Sequence, residues 1–107
     1  MSQPFMRLEE HVAFAAERGH KVDLARGERL FVGLNTFEAG QSQRVHVHDD
    51  GDKFYLIVSG KARMIVGDET RDVQEGTVVW APAGVPHGVE QAFERTVMLI
   101  GMSPPPR

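Results

Sequence analysis

Polar and apolar residues alternate along most of the chain in short runs, broken at intervals by glycine-bearing turns. Residues 30–37, LFVGLNTF, place apolar groups at both odd and even positions. That pattern predicts a strand buried on one side and packed under an arm or a second subunit on the other. Residues 43–48 form a strand that ends in the acidic loop Asp49-Asp50-Gly51-Asp52, and residues 53–58 form a nearly continuous apolar strand. Further strands are expected over 62–66, 70–73, 77–81, 89–93 and 96–100. Gly67-Asp68 suits a two-residue hairpin loop, because glycine tolerates the positive φ such turns require. Short strands at regular spacing with Gly-rich turns favour an all-β, antiparallel barrel of jelly-roll type.

The ends differ from this pattern. Residues 1–29 are expected to be an arm of the same domain, residues 30–101 the barrel and residues 102–107 a tail. Within the arm, Leu8, Val12 and Ala15 fall at helical spacing over 7–18, with Gly19 as a stop. Val12, Phe14 and the following KVDL equally suit the start of an edge strand. Three consecutive prolines keep residues 104–106 out of helix and central strand.

A chain of 107 residues makes one domain. Its net charge of -3, with charges scattered, argues against a nucleic-acid surface, which needs a clustered basic patch. No cysteine is present, which excludes disulfides and thiol nucleophiles. Acidic residues near the N-terminus do not suit a signal peptide, and no apolar run is long enough to span a bilayer, so a cytoplasmic location is expected.

Candidate chemistry concentrates in the histidines. His46 and His48 are one residue apart, so in a strand they point to the same face. His87 closes the Pro/Gly-rich loop 82–86, which fixes its direction. Neutral imidazole is the commonest side-chain ligand for transition metals. His46, His48 and His87 are therefore the candidate metal ligands, for Fe, Mn, Ni, Cu or Zn. His11 and His20 are read as surface residues. The chain has no phosphate-cradling Gly loop followed by Lys-Ser or Lys-Thr, no Gly-x-Ser-x-Gly turn and no obvious pair of acid/base carboxylates.

These residues carry a family resemblance. Gly40, five residues, His46, one residue, His48, four residues, Lys53, six residues and Gly60 resemble the first cupin motif. Gly76, five residues, Pro82, one residue, Gly84, two residues, His87, three residues and Gln91 resemble the second. The resemblance covers roughly residues 30 to 101. It implies a small cupin: a double-stranded β-helix, commonly a homodimer, with a divalent transition metal on the three histidines. The resemblance implies the activities of dioxygenases, isomerases, lyases or decarboxylases on small polar molecules. Three-His sites resemble those of thiol and diketone dioxygenases. A barrel that binds a small ligand without chemistry is the alternative.

Two positions depart from the pattern. Most metal-binding cupins have glutamate where this chain has Lys53 and asparagine where it has Gln91. An ammonium beside a divalent ion is repelled in a low-dielectric barrel. Electrostatics thus favours Lys53 turned outward, paired with Asp49, Asp50 or Asp52. It can instead sit inside and hold an anion, or lose its proton and act as a base or Schiff-base amine. Asp52 is the other candidate for the glutamate position. Lys53 and Tyr55 share one parity and are the candidate proton donors, hence the candidate catalytic residues. Gln91 is a candidate for the pocket mouth, and Arg44 shares the parity of His46 and His48.

Overall fold

Alternating burial along the strands shows how the sequence closes on itself. A computed structural model describes residues 4–106, in a single 3-10 turn at Leu8–Glu10 and nine strands. These are β1 His20–Arg26, β2 Phe31–Phe37, β3 Gln43–His46, β4 Asp52–Ser59, β5 Lys61–Val66, β6 Glu69–Gln74, β7 Val78–Ala81, β8 His87–Ala92 and β9 Thr96–Ser103. They pair in two antiparallel sheets, one ordered β1-β2-β9-β4-β7 and the other β3-β8-β5-β6. This is the all-β jelly-roll architecture that the strand spacing predicts.

In β4, Lys53, Tyr55 and Ile57 are buried while their neighbours are more exposed. Their partners in β9 are Met102, Ile100 and Met98, also buried. Ala62, Met64, Val73, Val89 and Ala92 complete the same core from the second sheet. Each large apolar side chain fully buried here stabilises the fold by about 1.5–3 kcal/mol. The outer face of β4 is covered locally. Phe54 lies so close over its partner Gly101 that a Cβ there would be 2.2 Å from the ring.

Gly60 joins β4 to β5 at φ +93°, and a Cβ there would meet the Arg95 carbonyl oxygen at 2.4 Å. Only glycine fits such a turn without strain. The hairpin between β5 and β6 is the expected two-residue loop, with Val66 opposite Glu69 across Gly67 and Asp68.

The N-terminal segment departs from the helix expected over 7–18. It makes one 3-10 turn and then runs irregularly to β1. Its carbonyls bond to the barrel instead of to a helical ladder. Thr36 Oγ1 donates to the Ala13 carbonyl at 2.5 Å, and Gln41 Nε2 donates to the Ala15 carbonyl at 2.8 Å. The Arg95 guanidinium stacks 4.3 Å from the centre of the Phe14 ring. This arm supplies cover for β2, whose residues are buried on both faces. The first sheet begins with β1 at His20, inside the span expected as arm, and β9 carries it past residue 101 to Ser103.

Candidate metal centre

His46 and His87 are brought together by strand pairing: they are direct partners across β3 and β8. His48 follows two residues after His46, on the same side. The loop before β8 is tied from several directions. The Gly84 N–H donates to the His48 carbonyl at 2.9 Å, the Ala83 N–H to Asp52 Oδ1 at 2.9 Å, and the Gly67 N–H to the Pro86 carbonyl at 2.8 Å. Gly84 takes φ +80°, which the loop needs to turn His87 inward. The three ring centres lie 4.4, 4.9 and 5.5 Å apart, and one nitrogen from each ring falls within 4.8 Å of the others.

The hydrogen bonds fix which nitrogen is available. His46 Nδ1 lies 2.8 Å from the Arg44 carbonyl, and His87 Nδ1 lies 2.9 Å from the Val85 carbonyl. A carbonyl oxygen only accepts, so both Nδ1 atoms carry the proton and both Nε2 atoms hold a lone pair. His87 is 1% exposed, and its Nε2 is buried with no hydrogen-bond partner among the described residues. A buried nitrogen with a free lone pair beside two further imidazoles fits a metal ion.

Electrostatics keeps these rings neutral, as ligation requires. Burial, and then the neighbouring rings and Lys53, hold His87 down to about 4; its bond to Val85 opposes the shift without cancelling it. Burial also lowers His46 and His48, followed for His46 by Lys53 and Lys21 and for His48 by His46, Lys53 and Lys21.

Lys53 does not turn outward. It is 4% exposed, on the inner face of β4, and it takes part in no ion pair among the described residues. Its ammonium lies 4.6 Å from the centre of the Tyr55 ring, a cation–π contact. The period-two alternation of β4 places position 53 inward with Tyr55 and Ile57, and that placement prevails over the solvation of a single charge. Burial, then the charge on Lys21, brings its pKa down to about 8. Asp52 points the other way and holds the loop before His87, so Lys53 fills the inward position.

Tyr55 is fully buried and its hydroxyl donates to Gln43 Oε1 at 2.9 Å. Burial raises its pKa, so it stays a neutral O–H. Its ring centre is 6.2 Å from that of His87. Gln91 is exposed on β8, away from the cavity at the histidines, because the register shift between Arg63 and Met64 changes which side chains of β8 face inward. Arg44 stands exposed at that cavity's rim. His11 and His20 lie outside the histidine cluster.

The cavity beside the histidines measures about 370 Å³. Lys21, Asn35, Gln43 and Lys53 line it together with His46 and His48. Pro106 lies at its edge, tied by its carbonyl to the Arg26 guanidinium. Asn35 and Gln43 carry no signal in motif spacing. Asn35 has the strand parity of Phe31 and Phe37, and that parity is the clue to its inward position.

A small jelly-roll barrel with three inward imidazoles defines the class. Residues 33–102 match the family model described as cupin domain, and the chain belongs to the cupin family. It is 39% identical over 93 residues to an uncharacterized protein of Streptomyces coelicolor, covering 85% of this chain and 86% of that one. The crystal structure of TT1209 from Thermus thermophilus superposes with a TM-score of 0.91 at 30% identity, over 97% of this chain and 100% of that one. The structure of KdgF from Halomonas sp. superposes with a TM-score of 0.85 over 98% of this chain and 96% of that one; at 22% identity this is a likeness of fold.

Proposed function

We propose that this barrel holds one divalent transition ion on Nε2 of His46 and His87 and a ring nitrogen of His48, and acts, as a cytoplasmic metalloenzyme, on a small polar molecule in the adjoining cavity. The observation that carries this reading is the buried, partnerless His87 Nε2. Iron, manganese, nickel, copper and zinc all suit imidazole, and a bound ion supplies Lewis-acid polarisation of a ligand oxygen. The remaining work falls to the chain. The Nδ1–H bonds to Arg44 and Val85 orient the rings. Lys53, with a pKa near 8, holds a proton that it can release close to neutral pH. Tyr55 positions the Gln43 carboxamide at the cavity wall.

The inward charge of Lys53 supports a second reading, a binding module without turnover, because it stands where a fourth, anionic ligand would otherwise complete the metal site. Reconstitution with each metal followed by elemental analysis tests the shared core. Close to one ion per chain is expected, with none in His48→Ala; no metal after reconstitution removes the proposal. Metal-dependent turnover of a diketone or thiol selects the enzyme over the binding module. A homodimer is proposed on the exposed Val78 and Trp80 of edge strand β7, and a monomeric mass by light scattering at micromolar concentration contradicts it.

A further inference from the structure

Asn35 is 1% exposed, yet neither its carboxamide oxygen nor its nitrogen has a hydrogen-bond partner among the described residues. Buried polar groups are normally paired, and one left unpaired destabilises the fold. Its neighbours on the inner face of β2, Phe31 and Phe37, belong to the apolar core, where leucine would suit the strand better. Asn35 also lines the cavity that holds Lys53, a second buried polar group without an oppositely charged partner. Lys21, the direct partner of Asn35 across β1 and β2, stands at the same cavity. Asp23 is the one acidic residue in its lining, against Lys21, Arg44 and Lys53.

We infer that Asn35 and Lys53 form a recognition site for a small hydroxylated carboxylic acid, the carboxylate on the Lys53 ammonium and a hydroxyl on the Asn35 carboxamide. This inference rests on the reading of the histidine-lined cavity as the functional site. The assignment of groups follows from donor and acceptor chemistry. A carboxamide has two N–H donors and an acceptor oxygen. A carboxylate can only accept and leaves that oxygen unmet. A hydroxyl donates and accepts, so it satisfies both ends. The excess of cations over acids around the cavity calls for an anion, and a buried ammonium binds a carboxylate by a charge-assisted hydrogen bond. A cavity of about 370 Å³ accommodates a molecule of the size of a sugar acid.

The test is calorimetric titration of the full chain, metal-loaded and metal-free, with three six-carbon probes, metal content being measured in parallel. Gluconate carries both groups, glucitol lacks the carboxylate, and hexanoate lacks the hydroxyls. Gluconate is expected to bind at least about tenfold more tightly than either of the others. Asn35→Leu abolishes the preference over hexanoate and Lys53→Met the preference over glucitol. Without ligand, Asn35→Leu raises Tm by about 4–8 °C, because it removes an unpaired polar group. A lowered Tm shows that the amide serves the fold and overturns the inference. So does metal-loaded protein that fails to prefer gluconate, an outcome that leaves the metal proposal standing. Protein that binds no metal yet prefers gluconate supports this inference and rejects the metal proposal.

Discussion

The two walls of the cavity are built on different terms. On the β3–β8 side, two of the three imidazoles are held by their own backbone: Nδ1 of His46 and of His87 bonds a carbonyl two residues upstream, leaving Nε2 aimed and available. On the β2–β4 wall, Asn35 and Lys53 are buried without such support, one lacking any polar partner and the other resting on an aromatic ring. The first wall is rigid and ready before anything binds. The second carries unmet polarity that an incoming molecule can relieve. Pre-organised ligands favour metal affinity, whereas unmet groups favour discrimination between ligands.

The sharpest way to break this contrast is to remove the rigid wall. His87→Ala is expected to weaken metal binding by more than about a hundredfold, beyond the loss typical of a supporting residue, as read by competition with a chromophoric chelator. Unchanged affinity would place the metal elsewhere.

Acid tests the same wall. The folded-state pKa of His87, about 4, lies below its unfolded value, so the stability linked to its neutral form is present above pH 6.5 and is lost as pH falls towards 4. Metal-free protein is expected to lose on the order of 2 kcal/mol across that window, allowing for the open cavity mouth. His87→Gln should flatten the profile in urea titrations. An equally steep profile in the variant assigns the loss to other groups.

Lys53→Glu converts a feature of the second wall into one of the first. Replacing an inward ammonium by a carboxylate is expected to tighten metal binding by about tenfold or more. Weaker binding would mean that position 53 does not face the ion. The smallest effect belongs to Asp52→Ala, which frees the Ala83 N–H and loosens the loop before His87. Metal affinity should fall about threefold with little change in Tm.

Much of the first wall is legible in the sequence. The period of a strand puts His46 and His48 on one face, and a Pro/Gly loop fixes His87. The second wall is harder, because its signals conflict. Charge alone sends Lys53 outward, but the alternation that buries Tyr55 and Ile57 carries it inward, where its stem packs and its ammonium meets a ring. Asn35 sits in a strand apolar on both faces, so its face follows only from its parity with Phe31 and Phe37. The arm eludes helical periodicity for another reason. Thr36 and Gln41, distant in sequence, take the carbonyls of Ala13 and Ala15 that a helix would use.

The bond between Arg26 and the Pro106 carbonyl has a practical consequence for handling the protein. It holds Pro106 against the rim of the histidine-lined cavity. A polyhistidine handle or fluorescent fusion joined downstream of Pro106 is tethered to that rim, and the first carries its own imidazoles. Affinities measured on such a fusion would report the appendage as well as the pocket, so labels belong at the other end of the chain.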